Sequence, residues 1–253
     1  MNLELHYLPS MGLSAVPSLI GSSWQFLRKQ PAMLPIAAWL IAIPYALFEA
    51  ANNLLGPANN PAVLPAEETV MIVLFMAAMS VLFLWGHAST LTVGRRLLQT
   101  NAGRSRTSFR AVIKQSRGFI IPLLLTYILW TCMTFLWGIL LIVPGIFFFV
   151  RTFLFPVAVV GEGINYRQAL YRSRTLVKGR FGEFFLMLLA LFILLFWFPW
   201  FVVTLLFIVL PVSPTTYAFY VVIDAIVSTI GLLLFNISLI QIYKTLLPGP
   251  VHN

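Results

Sequence analysis

Long apolar runs alternate with short basic ones along most of the chain. Six of the apolar runs have the length and composition of membrane-crossing helices, about 20 residues each. They cover 34–55, 70–93, 119–143, 146–161, 184–210 and 217–239. The fourth is the shortest. At 1.5 Å per residue it reaches about 24 Å across a hydrocarbon core of ~30 Å. It reads either as a short span or as a tilted or re-entrant segment. Pro144, just before it, favours a new helix, because proline is tolerated in a first turn. Pro199 predicts a kink in the fifth run, where its missing N–H removes one helical bond.

The polar stretches between these runs differ sharply in charge. Arg28 and Lys29 precede the first run. Arg95, Arg96, Arg104, Arg106, Arg110, Lys114 and Arg117 separate the second from the third. Arg167, Arg172, Arg174, Lys178 and Arg180 separate the fourth from the fifth, and Lys244 follows the sixth. The alternate connections, 56–69, the turn near 144 and 211–216, carry no Lys or Arg, and the first holds Glu67 and Glu68. Six crossings put every basic connection on one side, which the positive-inside rule makes cytoplasmic together with both termini. Five crossings would split the two basic loops between opposite sides.

Two of the basic loops resemble each other. Phe109-Arg-Ala-Val-Ile-Lys-Gln-Ser-Arg117 aligns with Tyr166-Arg-Gln-Ala-Leu-Tyr-Arg-Ser-Arg174, sharing an aromatic residue, Arg, Ser and Arg in place. Both carry apolar residues at helical spacing on one stripe. A weaker third copy, with Val16, Leu19, Ile20 and Ser23, precedes the first span. The chain therefore reads as an all-α, polytopic membrane protein: a single integral domain over 1–253, built as three units of an amphipathic interfacial helix followed by two spans. The interfacial helices are expected at 13–27, 107–117 and 165–178. Their basic faces would meet anionic head groups or a protein partner through Arg110, Lys114, Arg117, Arg167, Arg172, Arg174, Lys178 and Arg180. Gly163 and Asn165 suit a loop and a helix cap, with Gln168 completing a capping box.

Composition supports the membrane reading. Hydrophobic residues make up 60% of the 253 and charged residues 9%, against about 45–50% and ~25% in soluble domains. Mean hydropathy is +0.94. The net charge of +9 is assigned to the cytoplasmic membrane surface and not to nucleic acid. Glu4, Pro9 and Pro17 interrupt the N-terminal stretch, so no cleavable signal peptide is expected. The single cysteine, Cys132, permits no internal disulfide and is expected to be a small buried hydrophobe.

The stretch from Pro144 to Phe185 carries Pro144-Gly145-Ile146, Arg151, Pro156, Glu162-Gly163, Ala169-Leu170, Arg172-Ser173 and Lys178-Gly179-Arg180-Phe181. It resembles a bacterial family of hydrophobic six-span inner-membrane proteins of unknown function. It is also similar to the membrane domain fused to some glycerophosphodiester phosphodiesterases. The resemblance implies a fold and an inner-membrane location. The soluble phosphodiesterase domain has no counterpart here, and its activity does not transfer.

Motifs for a P-loop, a dinucleotide fold, a zinc protease, a Cys-x-x-Cys pair or a nucleophile elbow do not occur, and no cofactor or metal is expected. His87, in the second run, is expected to be a packed or interfacial histidine. Charges inside spans are costly and mark candidate sites. There are three: Glu49, Arg151 and Asp224. Counted from the span ends, each lies roughly 8–11 Å below the outer surface. They could form one intramembrane cluster, with Arg151 paired to Asp224 and Glu49 as the second candidate. The functional expectation is a non-enzymatic integral inner-membrane protein: a scaffold, assembly or envelope-maintenance factor, with membrane lipids and a membrane-protein complex as its expected partners. The alternative is a transporter or lipid-handling protein using the Arg/carboxylate site.

The charge pattern makes a direct prediction. A reporter fused after Asn253 should behave as cytoplasmic, and one inserted near Asn60 as external. The reverse placement would overturn the topology.

Overall fold

The computed structural model describes residues 12–54, 65–98, 108–210 and 213–247. Among them it contains helices and no strands. Helix α1 (Val16–Lys29) is amphipathic and buries Val16, Leu19 and Ser23. Among the described residues, six segments are long and apolar enough to cross a membrane: α2 (Met33–Asn52), α3 with its 3-10 tail (Ala66–Leu98), α4 (Phe109–Leu140), a broken pair over Ile142–Glu162, α8 (Phe181–Ile208) and α9 (Pro214–Leu246, apolar from Thr215). The broken pair consists of α5 (Ile142–Thr152) and α6 (Phe155–Glu162). The amphipathic α7 (Tyr166–Val177) follows it.

Several expectations change in detail. The stretch 107–117 does not form a separate interfacial helix. From Phe109 it is the first part of α4, which runs unbroken for 32 residues, about 48 Å. The helix passes straight through Gly118 and Pro122. Residue 107 and Arg104 and Arg106 lie outside the described residues. Cys132 is exposed on the outward side of α4, so it is not a core residue. At α7, Asn165 occupies the cap position with extended backbone but makes no side-chain capping bond. The Tyr166 N–H donates instead to Thr126 Oγ1 of α4 at 3.1 Å. Gly163 adopts the left-handed conformation, φ 75°, that ends α6.

The fourth crossing segment is not one helix. A single extended residue, Leu141, turns the chain back on α4. The close return needs glycine: a Cβ on Gly145 would stand 2.8 Å from Gly138 Cα. The segment then breaks between Thr152 and Phe155. Ser173, fully buried on α7, repairs the break. Its hydroxyl donates to the Arg151 carbonyl at 2.9 Å and accepts from the Leu154 N–H at 3.1 Å. The two halves together span 21 residues, which removes the length deficit of the sequence estimate.

Two other spans contain π-helical turns, Ala37–Ala42 in α2 and Ile193–Trp197 in α8. Each is followed closely by a proline, Pro44 or Pro199. A proline cannot donate to the carbonyl four residues before it, and its ring crowds that carbonyl. The helix responds by widening: Ile43 N–H bonds Ala38 O and Phe198 N–H bonds Ile193 O, one residue longer than the α pattern. The carbonyls four residues before the prolines are those of Leu40 and Leu195. Leu40 O lies 2.5 Å from where a Cβ on Gly86 of α3 would be, and Leu195 O crowds the same position on Gly231 of α9. Both displaced carbonyls thus pack directly on a glycine of a neighbouring span.

Gly86→Ala and Gly231→Ala should each therefore lower stability by about 1–3 kcal/mol, the usual cost of overpacking. Gly118→Ala is the control, since its Cβ position is open and alanine gains helix propensity there. Thermal unfolding in mild detergent checks this. Equal effects at all three positions would break the link between proline, carbonyl and glycine.

Candidate functional site

The three intramembrane charges do not form one cluster. Arg151 lies at the end of α5, with its guanidinium 4.1 Å from the centroid of the Phe147 ring one turn earlier. Its Nε is buried without a hydrogen-bond partner. Asp224 of α9 is 3% exposed, and its Oδ2 accepts from the Tyr45 hydroxyl of α2 at 2.8 Å. Glu49, one turn after Tyr45, acts electrostatically on Tyr45 and on Tyr217. The two carboxylates therefore share a neighbourhood with tyrosines, and no ion pair joins Arg151 to either. Matched depth was inferred by counting residues from the end of a straight fourth helix. The counted stretch to Arg151 is a continuous part of α5, but matched depth leaves open which face of a helix a side chain occupies, and Arg151 and Asp224 have different partners.

The basic residues of the loops are mostly exposed: Arg110, Lys114, Arg117, Arg167, Arg174, Lys178 and Arg180. Arg117 also covers the Trp85 ring at 5.1 Å, and Arg174 lies over Phe148 at 5.8 Å. Both are within the range of a cation–π contact. Arg172 is different. Its Nε donates to both Glu162 oxygens, at 3.1 and 2.9 Å, and Nη2 donates to Oε1 at 2.9 Å. The Tyr243 hydroxyl donates to the same Oε1 at 2.6 Å. These bonds from Arg172 to Glu162 hold its guanidinium above its ordinary pKa. Arg172 thus ties α7 to the end of α6 and to α9, and its fork is already occupied by a carboxylate.

A cavity lies elsewhere, between α3, α4, the α5–α6 break, α8 and α9. Its volume is about 790 Å³, at the upper side of the range for small-molecule pockets. Most of its wall is apolar, including Leu84, Leu124, Trp130, Phe149, Phe153, Leu188, Phe196 and Phe235. On the flank the lining includes Val81, Ile146, Leu189 and Phe192, which are exposed. The cavity therefore opens sideways onto the apolar surface of the bundle. The α5–α6 break helps to shape it, since Phe153 and Phe155 on either side of Leu154 both line it. Trp130 donates to Thr152 Oγ1 at 2.8 Å and packs on Phe153 and Phe155 at this break.

Besides Ser80, whose hydroxyl donates to the Met76 carbonyl of its own helix at 2.9 Å, three polar side chains from three helices line the cavity. Tyr127 Oη lies 3.0 Å from His87 Nε2, and Asn236 Nδ2 lies 3.1 Å from His87 Nδ1. His87 is 8% exposed and Asn236 fully buried. The expectation of a packed histidine agrees with this placement. The partners Tyr127 and Asn236 were not foreseen. The available signal was Asn236 itself, an amide within the apolar run Leu232–Leu239, where a polar group needs a partner. Asn236 Oδ1 has none. Chemically, the trio is a neutral relay with no nucleophile at either end. No group of three or more His, Cys, Asp or Glu suited to a metal occurs among the described residues.

Without an ion pair between them, Arg151→Leu and Asp224→Leu should be additive in stability to within ~0.5 kcal/mol. Tyr45→Phe and Asp224→Asn, which share a hydrogen bond, should couple by about 0.5–3 kcal/mol. Unfolding measurements on the single and double variants distinguish the two cases. Strong coupling of the first pair would restore the charge cluster.

Comparison of the chain with protein-family models, with curated proteins and with solved structures gives no match.

Proposed function

We propose that this protein is a non-enzymatic, multi-pass protein of the bacterial inner membrane that takes up a lipid-like chain in the cavity between α3, α4, α5–α6, α8 and α9. One observation carries the reading: a cavity of about 790 Å³ with an apolar wall, a polar floor and a mouth on the apolar flank. Water is disfavoured by such a wall. An alkyl chain from the bilayer reaches the mouth without crossing a polar surface. Lipid handling is therefore preferred over a purely scaffolding role, and the site moves from the Arg/carboxylate group to the cavity.

The basic connections complete the proposal. Arg110, Lys114, Arg117, Arg167, Arg174, Lys178 and Arg180 face outward, and with cytoplasmic termini they would lie against anionic head groups. They would anchor α7 and the start of α4 at the surface while the cavity engages the chain. The resemblance to six-span inner-membrane proteins is consistent with this role and names no substrate.

Leu189→Trp tests the cavity. Leu189 lies in the mouth and is exposed, so the larger ring can obstruct entry without displacing core atoms. Native mass spectrometry after mild detergent extraction should show lipid retained by the wild-type chain and lost from Leu189→Trp. Equal retention by both would overturn the reading. Stable recovery of a protein partner with no lipid would favour the scaffold.

A further inference from the structure

The polar floor of the cavity has a hydrogen-bonding polarity that selects an end group. Asn236 Nδ2 faces His87 Nδ1 at 3.1 Å. The amide nitrogen can only donate, so Nδ1 accepts and the imidazole proton resides on Nε2. His87 Nε2–H then donates to Tyr127 Oη, 3.0 Å away. Three capacities remain. Tyr127 keeps its own hydroxyl proton to donate, one N–H of Asn236 Nδ2 is unspent, and Asn236 Oδ1 keeps its lone pairs. Asn236 is fully buried, lines the cavity, and its Oδ1 has no partner. A buried acceptor without a donor costs about 1–3 kcal/mol, so the site is incomplete until a ligand supplies one.

We infer that the cavity binds a neutral, hydroxyl-bearing amphiphile, a long-chain alcohol or the free hydroxyl of a diacylglycerol. Its O–H donates to Asn236 Oδ1 and its oxygen accepts from Tyr127. The inference rests on the lipid-handling reading and adds the class of the ligand's polar end. A carboxylate or phosphate is disfavoured on two counts. It offers no donor to Asn236 Oδ1, and no cation lines the cavity to offset the burial of its charge. An alkane fills the apolar wall but leaves both polar groups unmet. The length of the chain is set by the wall, while its end is chosen by the amide and the phenol.

The test uses the purified full-length chain in mild detergent, with tritiated 1-hexadecanol as the probe. Unlabelled 1-hexadecanol, hexadecyl methyl ether, hexadecanoate and hexadecane serve as competitors. The alcohol should compete best. The ether accepts from Tyr127 but cannot donate, and should compete roughly three- to tenfold more weakly, the equivalent of one hydrogen bond. Hexadecanoate should be weaker still at neutral pH. Asn236→Leu and Tyr127→Phe should each remove the advantage of the alcohol over the ether or the alkane. Tyr127→Phe keeps the ring and so guards against a result caused by misfolding. Equal competition by alcohol, ether and alkane, blocked by Leu189→Trp, would overturn the end-group inference while keeping the cavity as a lipid site. Saturable binding of no alkyl probe at all would overturn both.

Discussion

A helix in hydrocarbon has no water to satisfy a backbone group that loses its intrahelical partner. Pro44 and Pro199 impose that loss in α2 and α8, and the break at 153–154 imposes it again. Each case is answered by a specific residue on another element. At the prolines the helix lengthens its hydrogen-bond step into a π turn and sets the Leu40 and Leu195 carbonyls on Gly86 and Gly231. Only a residue without Cβ permits that approach, and a glycine Cα–H can itself act as a weak donor. At the break, one serine hydroxyl serves both an orphaned N–H and a carbonyl. The packing of α2 on α3, of α8 on α9 and of α7 on the fourth segment follows from these local repairs.

The same logic accounts for the amphipathic segments. Ser23, Ser116 and Ser173 occupy corresponding positions in the three segments aligned by sequence, and all are fully buried. Ser23 meets Ser238 at 3.0 Å, Ser116 meets Ser89 at 2.9 Å and receives the Trp85 indole, and Ser173 spans the fourth-segment break. In each case the apolar stripe is directed at the bundle together with a hydroxyl. These segments are therefore docked by hydrogen bonds to particular spans, as well as by burial of their apolar faces. The Arg172–Glu162–Tyr243 contact adds a charged tie for α7. Partial exposure of that pair limits its contribution to roughly 0–1 kcal/mol, so Ser173 and the buried Ala169 and Val177 carry more of the docking.

Much of the fold was legible because its main signal is length and apolarity. All six segments were located in the sequence, including the short fourth, which charge alternation supported. Boundaries were less legible, since helices such as α4 and α9 continue beyond the apolar runs read from the sequence. The π turns could have been suspected from Pro44 and Pro199. The glycines they press on lie far along the chain, and no local pattern pairs Leu40 with Gly86. The Arg151–Asp224 pairing failed for a related reason. Residue counting gives depth along a helix, and it says nothing about which face a side chain occupies. Arg151 stacks on Phe147 of its own helix, whereas Asp224 faces Tyr45.

His87 shows how a residue of little sequence interest becomes informative in context. Alone it has no catalytic partner. With Tyr127 on one nitrogen and Asn236 on the other, it becomes a spacer that fixes the direction of a hydrogen-bond chain. Direction is what an uncharged site can use to discriminate, because it has no net field to offer. An unpaired acceptor left in water would be hydrated at little cost. Beside a cavity lined by phenylalanine and leucine, the proposed ligand end that can donate gains the equivalent of one hydrogen bond over an end that cannot. The apolar wall thus gives the polar floor its selectivity.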